Sequence, residues 1–478
     1  MAITGDEIFF ATIGELNAGL KEKQFSAEEL ARAFLGRLER LGPRCNALAL
    51  SLNQQALRKA KQVDQDIKRG RLRGPLQGMP YGVKDLVSYA GQPTTWGAKP
   101  YAAQVFDYNA TVIEKLDGAG AVIIGKLSMV ELAGGGGYRY ASASLFGPGL
   151  NPWDRGRWSG GSSSGSAAAV AAGMVPFAIG SETSGSIVTP ASYCGVTALR
   201  PTYGLVSRYG AMALAWTLDK LGPFARCADD CGIILQAIAG KDGKDPGSAG
   251  KSFYYVPQYA RALKELKVGY APADFNERAD PAAREAFVTA LAALKEGGVQ
   301  LVETRLPDFP YGPVLSTILS GEQASIFEAL IASGKVNELA DPAQIAGLKA
   351  SLELPAVDYL KAMRIRRQIQ QAFTRLFADI DVLLAPGRHE PATPIEQRLD
   401  GTGVPARAAA APAAPGLGAI IPAGNLAGLP ALVLPCGFAE RLPVALQLVG
   451  LPFSENTLLA IGRDFQARTD WHKRRPPV

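Results

Sequence analysis

The chain has 478 residues, 47% of them hydrophobic and 20% charged, which excludes a disordered tail or linker and provides for a large buried core. Its formal charge of +6 is scattered, with short basic clusters only at Lys68 to Arg73 and Lys473 to Arg475, so the coherent basic stripe that direct nucleic-acid binding wants is missing. Five cysteines and two histidines, His389 and His472, supply a zinc centre or a serine–histidine triad poorly, and point to lysine, carboxylate or tyrosine as the proton carrier.

The first twenty residues lack a basic segment followed by a long apolar run. The longest charge-free apolar window, Ala167 to Ile179, is too short to cross a bilayer. With few and odd-numbered cysteines, these features predict a cytoplasmic protein that makes no membrane contact. Cys227 and Cys231 share a helix face, but no further ligands complete a metal set, and buried thiols are expected.

Ser26 is a helix N-cap, reciprocated by Glu29, with Phe25 packing on Leu30. Leu30, Phe34, Leu38 and Leu41 give that helix one buried face. From about Gly78 the texture changes to short apolar runs separated by glycine: YGVKDLVSYAG, AVIIGKLSM, AAAVAAGMVPFAIGSETSGSI and GVTALRPTYGLVS. This texture predicts buried strands alternating with helices in one large mixed α/β core.

Within that core, a helix over Thr111 to Leu116 precedes a strand over Ala121 to Ile124, and a helix from about Ser166 to Ala172 precedes a strand over Val175 to Ile179. GPFAR then leads into a helix through ADDCGIILQAIAG, and Val268 to Tyr270 begins a strand followed by a helix over Pro281 to Glu296. Residues 315–376 are mostly helical, with breaks near Gly334 and Pro355, and are the candidate for a cap over one end of the sheet. Gly401 to Ala423 is rich in Ala, Gly and Pro, a composition open to a flexible or a close-packed loop. Leu432 to Pro435 and Leu446 to Val449 supply two late strands, and the last helix starts near Glu455.

Chemistry concentrates in Gly160 to Ser166 and Gly180 to Ile187. Dense small residues leave main-chain N–H groups open to an anion. Neither GxxxxGK[ST] nor GxGxxG is present, so an oxyanion hole around the N–H groups of Thr183 to Ser186 is the better use than a phosphate cradle, with a tight structural turn as the alternative. Lys84 follows apolar residues in a likely buried strand, where desolvation would lower its pKa and make it a neutral base. A salt bridge to Asp85 competes with that reading, although successive side chains on a strand diverge.

Taken together, five segments resemble the amidase signature family of serine amidases: GMPYGVKDLVSYAGQPTTWG, FGPGLNPWDRGRWSGGSSSGSAAAVAAG, VPFAIGSETSGSIVTPASYCGVTALRPTYGLVS, LDKLGPFAR, and NLAGLPALVLPCG with LPVALQLVG. The resemblance implies a single large mixed, twisted central β-sheet covered by helices on both sides. It further implies an N-terminal helical segment, residues 1–70, packed on an α/β domain of residues 71–478. The family's catalytic lysine matches Lys84, its cis-linked bridging serine Ser162, and its nucleophile Ser186. Its oxyanion-hole amides match Thr183, Ser184, Gly185 and Ser186, with Ser163, Ser181 and the Thr183 hydroxyl as supporting donors. No metal or organic cofactor is implied.

Two departures stand out. Serine replaces the usual glycine at Ser164 and Ser184, and Val188 stands where arginine is common. The expected function is hydrolysis of a small-molecule amide through an acyl-Ser186 intermediate; the alternative is an amidotransferase A subunit releasing ammonia from glutamine, which the stretch TYGLVSRYGAMALAWTLDKLGPFAR resembles. Arg364, Arg366 and Arg367 are expected to meet solvent. Gly134, Gly135, Tyr138 and Trp216 are the candidate substrate-binding residues, and Trp96 and Tyr140 further candidates for the pocket wall. The expected partner is the small amide, with no nucleic acid bound directly and with a homodimer as the assembly.

Overall fold

Apolar runs of four to six residues form strands here, because as helices they would make fewer than two turns and bury little. The computed structural model describes residues 5–399 and 416–478; residues 1–4 and 400–415, which hold most of the Ala, Gly and Pro stretch that starts at Gly401, lie outside the described residues. In chain order the strands are β1 (Leu48–Ser51), β2 (Pro80–Lys84), β3 (Val122–Leu127), β4 (Leu150–Asn151), β5 (Asp154–Trp158), β6 (Phe177–Glu182) and β7 (Thr197–Arg200). They continue as β8 (Lys220–Ala225), β9 (Lys267–Tyr270), β10 (Gln300–Glu303), β11 (Val382–Pro386), β12 (Ala431–Ala439) and β13 (Leu442–Gly450).

Eleven strands form one mixed sheet in the order β1-β3-β2-β6-β8-β7-β12-β13-β11-β9-β10, while β4 and β5 pair as a separate hairpin. The expected single mixed sheet flanked by helices is therefore what the chain forms. β2 runs parallel to both β3 and β6, with Tyr81 opposite Phe177 and Val83 opposite Ile179. Their carboxyl ends consequently emerge side by side, the edge at which open α/β sheets present their chemistry.

The local signals explain most elements. Ser26 accepts from Glu29 N and Glu29 answers at the Ser26 N–H, so the predicted capping box starts the helix Ala27–Leu41. Pro176 has no N–H to give the ladder, which delays β6 to Phe177 although apolar sequence begins at Val175. β12 and β13 span nine residues each, longer than the four-residue strands expected, because they pair with each other along their whole length. Between residues 315 and 376 the helices Tyr311–Ile326, Glu328–Ala332, Pro342–Ser351 and Ala356–Leu376 are separated near Gly334, which takes φ 75°, and at Pro355, which precedes the last of them.

The helix Ser164–Ala171 is buried along all its eight residues, and its small side chains let it press against the sheet. A Cβ on Gly165 would lie 2.6 Å from the carbonyl oxygen of Ala47 and 2.6 Å from the Ser128 nitrogen, so only glycine permits this approach. That packing fixes the height of Ser162 and Ser163, which lead into the helix.

Candidate active site

Lys84 ends β2 with no exposed surface. Its Nζ lies 2.7 Å from Ser162 Oγ and 2.9 Å from Ser181 Oγ. Burial lowers the lysine to about 7, against the upward pull of Asp219 and Glu182, so a large neutral fraction exists at physiological pH. The competing salt bridge to Asp85 does not form: the Asp85 carboxylate turns to Lys126, 2.9 Å away, and to Thr95. Alternation along the strand explains the split, since adjacent side chains leave on opposite faces.

The Gly161–Ser162 peptide bond is cis, and the Ser162 carbonyl accepts from Val130 N at 3.1 Å. Ser163 Oγ donates to the Ser181 carbonyl at 3.0 Å and accepts the Ser181 N–H at 3.3 Å, tying the Ser162 segment to β6. Ser163 N–H also reaches the Ser186 carbonyl at 3.4 Å. The first glycine–serine segment is thereby fixed against the second.

After β6 the chain turns through Thr183, Ser184, Gly185 and Ser186, with Gly185 at φ 84°. The four N–H groups of this turn donate to no acceptor among the described residues. Thr183 Oγ1 donates to Asp219 at 2.6 Å, and the same aspartate receives Leu214 N and Ala215 N. Glu182 takes Ile187 N at 2.8 Å and Val188 N at 3.0 Å, while Arg200 and Asn425 donate to its other oxygen at 2.7 Å each. Burial pushes the Glu182 carboxyl up, but Arg200 and Lys220 outweigh it and hold the group at about 2. The turn that carries Ser186 is thus gripped by a permanent anion.

Ser186, Ser184, Thr183 and Gly161 line a cavity of about 700 Å³, together with Gly134 and Tyr138. A second cavity of about 490 Å³ adjoins it across Ala133, Thr183 and Leu214, and reaches Ser181 and Trp216. Of the six substrate-side candidates, Gly134 and Tyr138 meet Ser186 and Trp216 faces the adjoining cavity. Gly135 packs against Leu214 and Phe327, Trp96 against Tyr101 at 4.5 Å, and Tyr140 is exposed; none of these three lines either cavity. Ser164 is buried in its helix, whereas Ser184 faces the cavity.

Arg366 departs from the solvent-facing expectation. It is buried and donates to the Leu426 carbonyl at 2.9 Å and the Thr217 carbonyl at 2.7 Å, whereas Arg364 and Arg367 are exposed. Sequence reasoning missed Trp158, Tyr193, Arg388, Glu390 and Thr393, all in the wall of the Ser186 cavity. The one available signal was GRHEP, a charged cluster at the end of an apolar strand. Cys45, Cys194, Cys231 and Cys436 are buried and Cys227 is half-buried, each a free thiol. Among the described residues no group of three or more His, Cys, Asp or Glu could hold a metal ion.

A family model described as Amidase matches residues 29–459. The A subunit of the glutamyl-tRNA(Gln) amidotransferase from Carboxydothermus hydrogenoformans is 36% identical over 99% of this chain and 100% of its own length. Among solved structures, the peptide amidase of Stenotrophomonas maltophilia superposes with a TM-score of 0.84 at 29% identity, covering 98% of each chain. The A subunit of the Thermotoga maritima glutamyl-tRNA(Gln) amidotransferase gives 0.76 at 28%, covering 96% and 94%. These names correct the expectation that a small-molecule amide and a second copy of the chain exhaust the partners, with no nucleic acid in view: proteins matched end to end are each one subunit of a larger, tRNA-directed enzyme.

Proposed function

This chain belongs to the amidase signature family, and on that premise we propose that it releases ammonia from a carboxamide such as glutamine through an acyl-Ser186 intermediate, as one subunit of an amidotransferase. The observation that carries the chemistry is Lys84 Nζ at 2.7 Å from Ser162 Oγ, beside a cavity that Ser186 opens into. Neutral Lys84 takes the Ser162 proton as Ser162 takes that of Ser186, and the Ser186 oxygen bonds to the amide carbon. The unengaged N–H groups of Thr183, Ser184, Gly185 and Ser186 support an oxyanion hole, each such donor worth about 3 kcal/mol in the transition state. Returning the proton through Ser162 to the leaving nitrogen breaks the C–N bond and frees ammonia. Water then repeats the sequence at the ester and releases the acid.

The role within a larger enzyme is supported by full-length likeness to A subunits of the glutamyl-tRNA(Gln) amidotransferase. A protein partner that receives the ammonia belongs to that reading, as does a cytoplasmic location, which five free thiols support. A second reading, a free-standing amidase, is favoured by the higher structural likeness to the peptide amidase. The test is ammonia release from glutamine and from a carboxamide panel, by the chain alone and with proteins that copurify with it. Glutamine turnover that rises with a partner supports the amidotransferase role; full turnover of another amide by the chain alone supports the second reading.

A further inference from the structure

Three residues in the wall of the Ser186 cavity each carry a buried polar atom without a hydrogen-bond partner: Nε of Arg388, Nε1 of Trp158 and Oγ1 of Thr393. Buried polar groups are ordinarily satisfied, and three exceptions in one cavity wall mark a place where a ligand completes the bonding. They are also set in position. The main-chain N–H of Trp158 donates to the Thr393 carbonyl at 2.8 Å, which holds the end of β5 against the segment carrying Thr393. The indole ring stands edge to face between Tyr138 and Tyr193, with centroids 6.2 and 6.3 Å away.

The donor set defines the ligand. Arg and the indole N–H can only donate, and Thr can donate as well as accept, so the complement is rich in acceptors. Arg388 gives one N–H to Glu390 at 3.3 Å and bonds the Tyr193 side chain, which leaves the Nε edge of its fork for an anion. Leu315, Leu319 and Tyr138 line the same cavity and suit a short apolar spacer.

We propose that Arg388, Trp158 and Thr393 form a carboxylate-binding subsite, so that the acyl half of the substrate carries a second carboxyl group beyond the amide that Ser186 attacks. This rests on the acyl-Ser186 reading and narrows its substrate to half-amides of dicarboxylic acids, glutamine's class among them.

The experiment measures glutarate binding to the purified chain by titration calorimetry, and kcat/KM for glutaramate against valeramide, a neutral amide of equal length. Glutarate binds the native chain, and Arg388→Gln weakens it about 10- to 100-fold, the range for a hydrogen-bonded charge. The glutaramate-to-valeramide ratio falls by a similar factor, mainly through KM. Trp158→Phe, which keeps the ring and loses the N–H, lowers the ratio less, and Arg388→Lys restores part of it. Absent glutarate binding, or equal losses on both amides, overturns the subsite. Labelling of the native chain by a fluorophosphonate reports separately: no label at Ser186 with glutarate still bound removes the amidase reading and leaves the subsite standing.

Discussion

Glu182 and Arg200 meet at 2.7 Å with both side chains wholly excluded from solvent, and the same carboxylate grips the N–H groups of Ile187 and Val188 just past Ser186. Structure and reactivity are therefore joined in one ion pair. Arg200→Met leaves the anion buried with its main partner gone, and the expected cost is about 3–5 kcal/mol of folding stability. Urea unfolding measures that loss. Glu182→Gln keeps the shape but loses the charge that holds the turn, and is expected to lower kcat more than it raises KM.

Lys84 gives a pH signature. With its pKa near 7, kcat/KM is expected to rise through that pH as the neutral amine appears, and Lys84→Met abolishes the rise together with the activity. Stability follows the same group. The folded pKa lies below the ordinary 10.5, so the unfolded chain binds more protons between about 7 and 10.5, and this lysine's cost to the fold is full below 7 and fades as pH rises. Denaturant midpoints should show Lys84→Met stabilising more at pH 6 than at pH 10.

Gly185→Ala tests the turn itself. At φ 84° an alanine is strained by about 1–2 kcal/mol, and its Cβ would stand 3.3 Å from Thr189 Oγ1. The expected outcome is a small fall in unfolding midpoint and a fall in kcat of about 100-fold, as expected for one misplaced oxyanion donor.

Lys126→Met probes the neighbouring pair. Asp85 then remains buried without its cation, and a loss of about 3–5 kcal/mol in urea unfolding is expected. Were Asp85 instead the partner of Lys84, this substitution would cost little.

The sequence carried the fold well where local signals agreed with tertiary demand. Ser26 with Glu29, and the glycine-bounded apolar runs, specify their own helix and strands. The two glycine–serine segments marked their own site because only small residues allow the close approach of Gly165 and the turn at Gly185. What stayed hidden depends on long-range pairing. β1, only four residues long, is a strand because Leu48 to Ser51 adds to the edge of β3, which no periodicity in the segment announces. Arg366 has charged neighbours typical of a solvated face, yet carbonyls from Thr217 and Leu426 draw it inside. Arg388, Trp158 and Thr393 come together from two distant stretches, so their shared cavity exists only in three dimensions.

The most direct measurement is the mass of the chain after rapid acid quench during incubation with glutamine, alone and with copurifying partners, followed by mapping of any adduct to its peptide. An acyl group on Ser186 in the native chain, and none in Ser186→Ala or Lys84→Met, is the predicted result. Ammonia release that survives in Ser186→Ala, or an adduct on another residue, would contradict it.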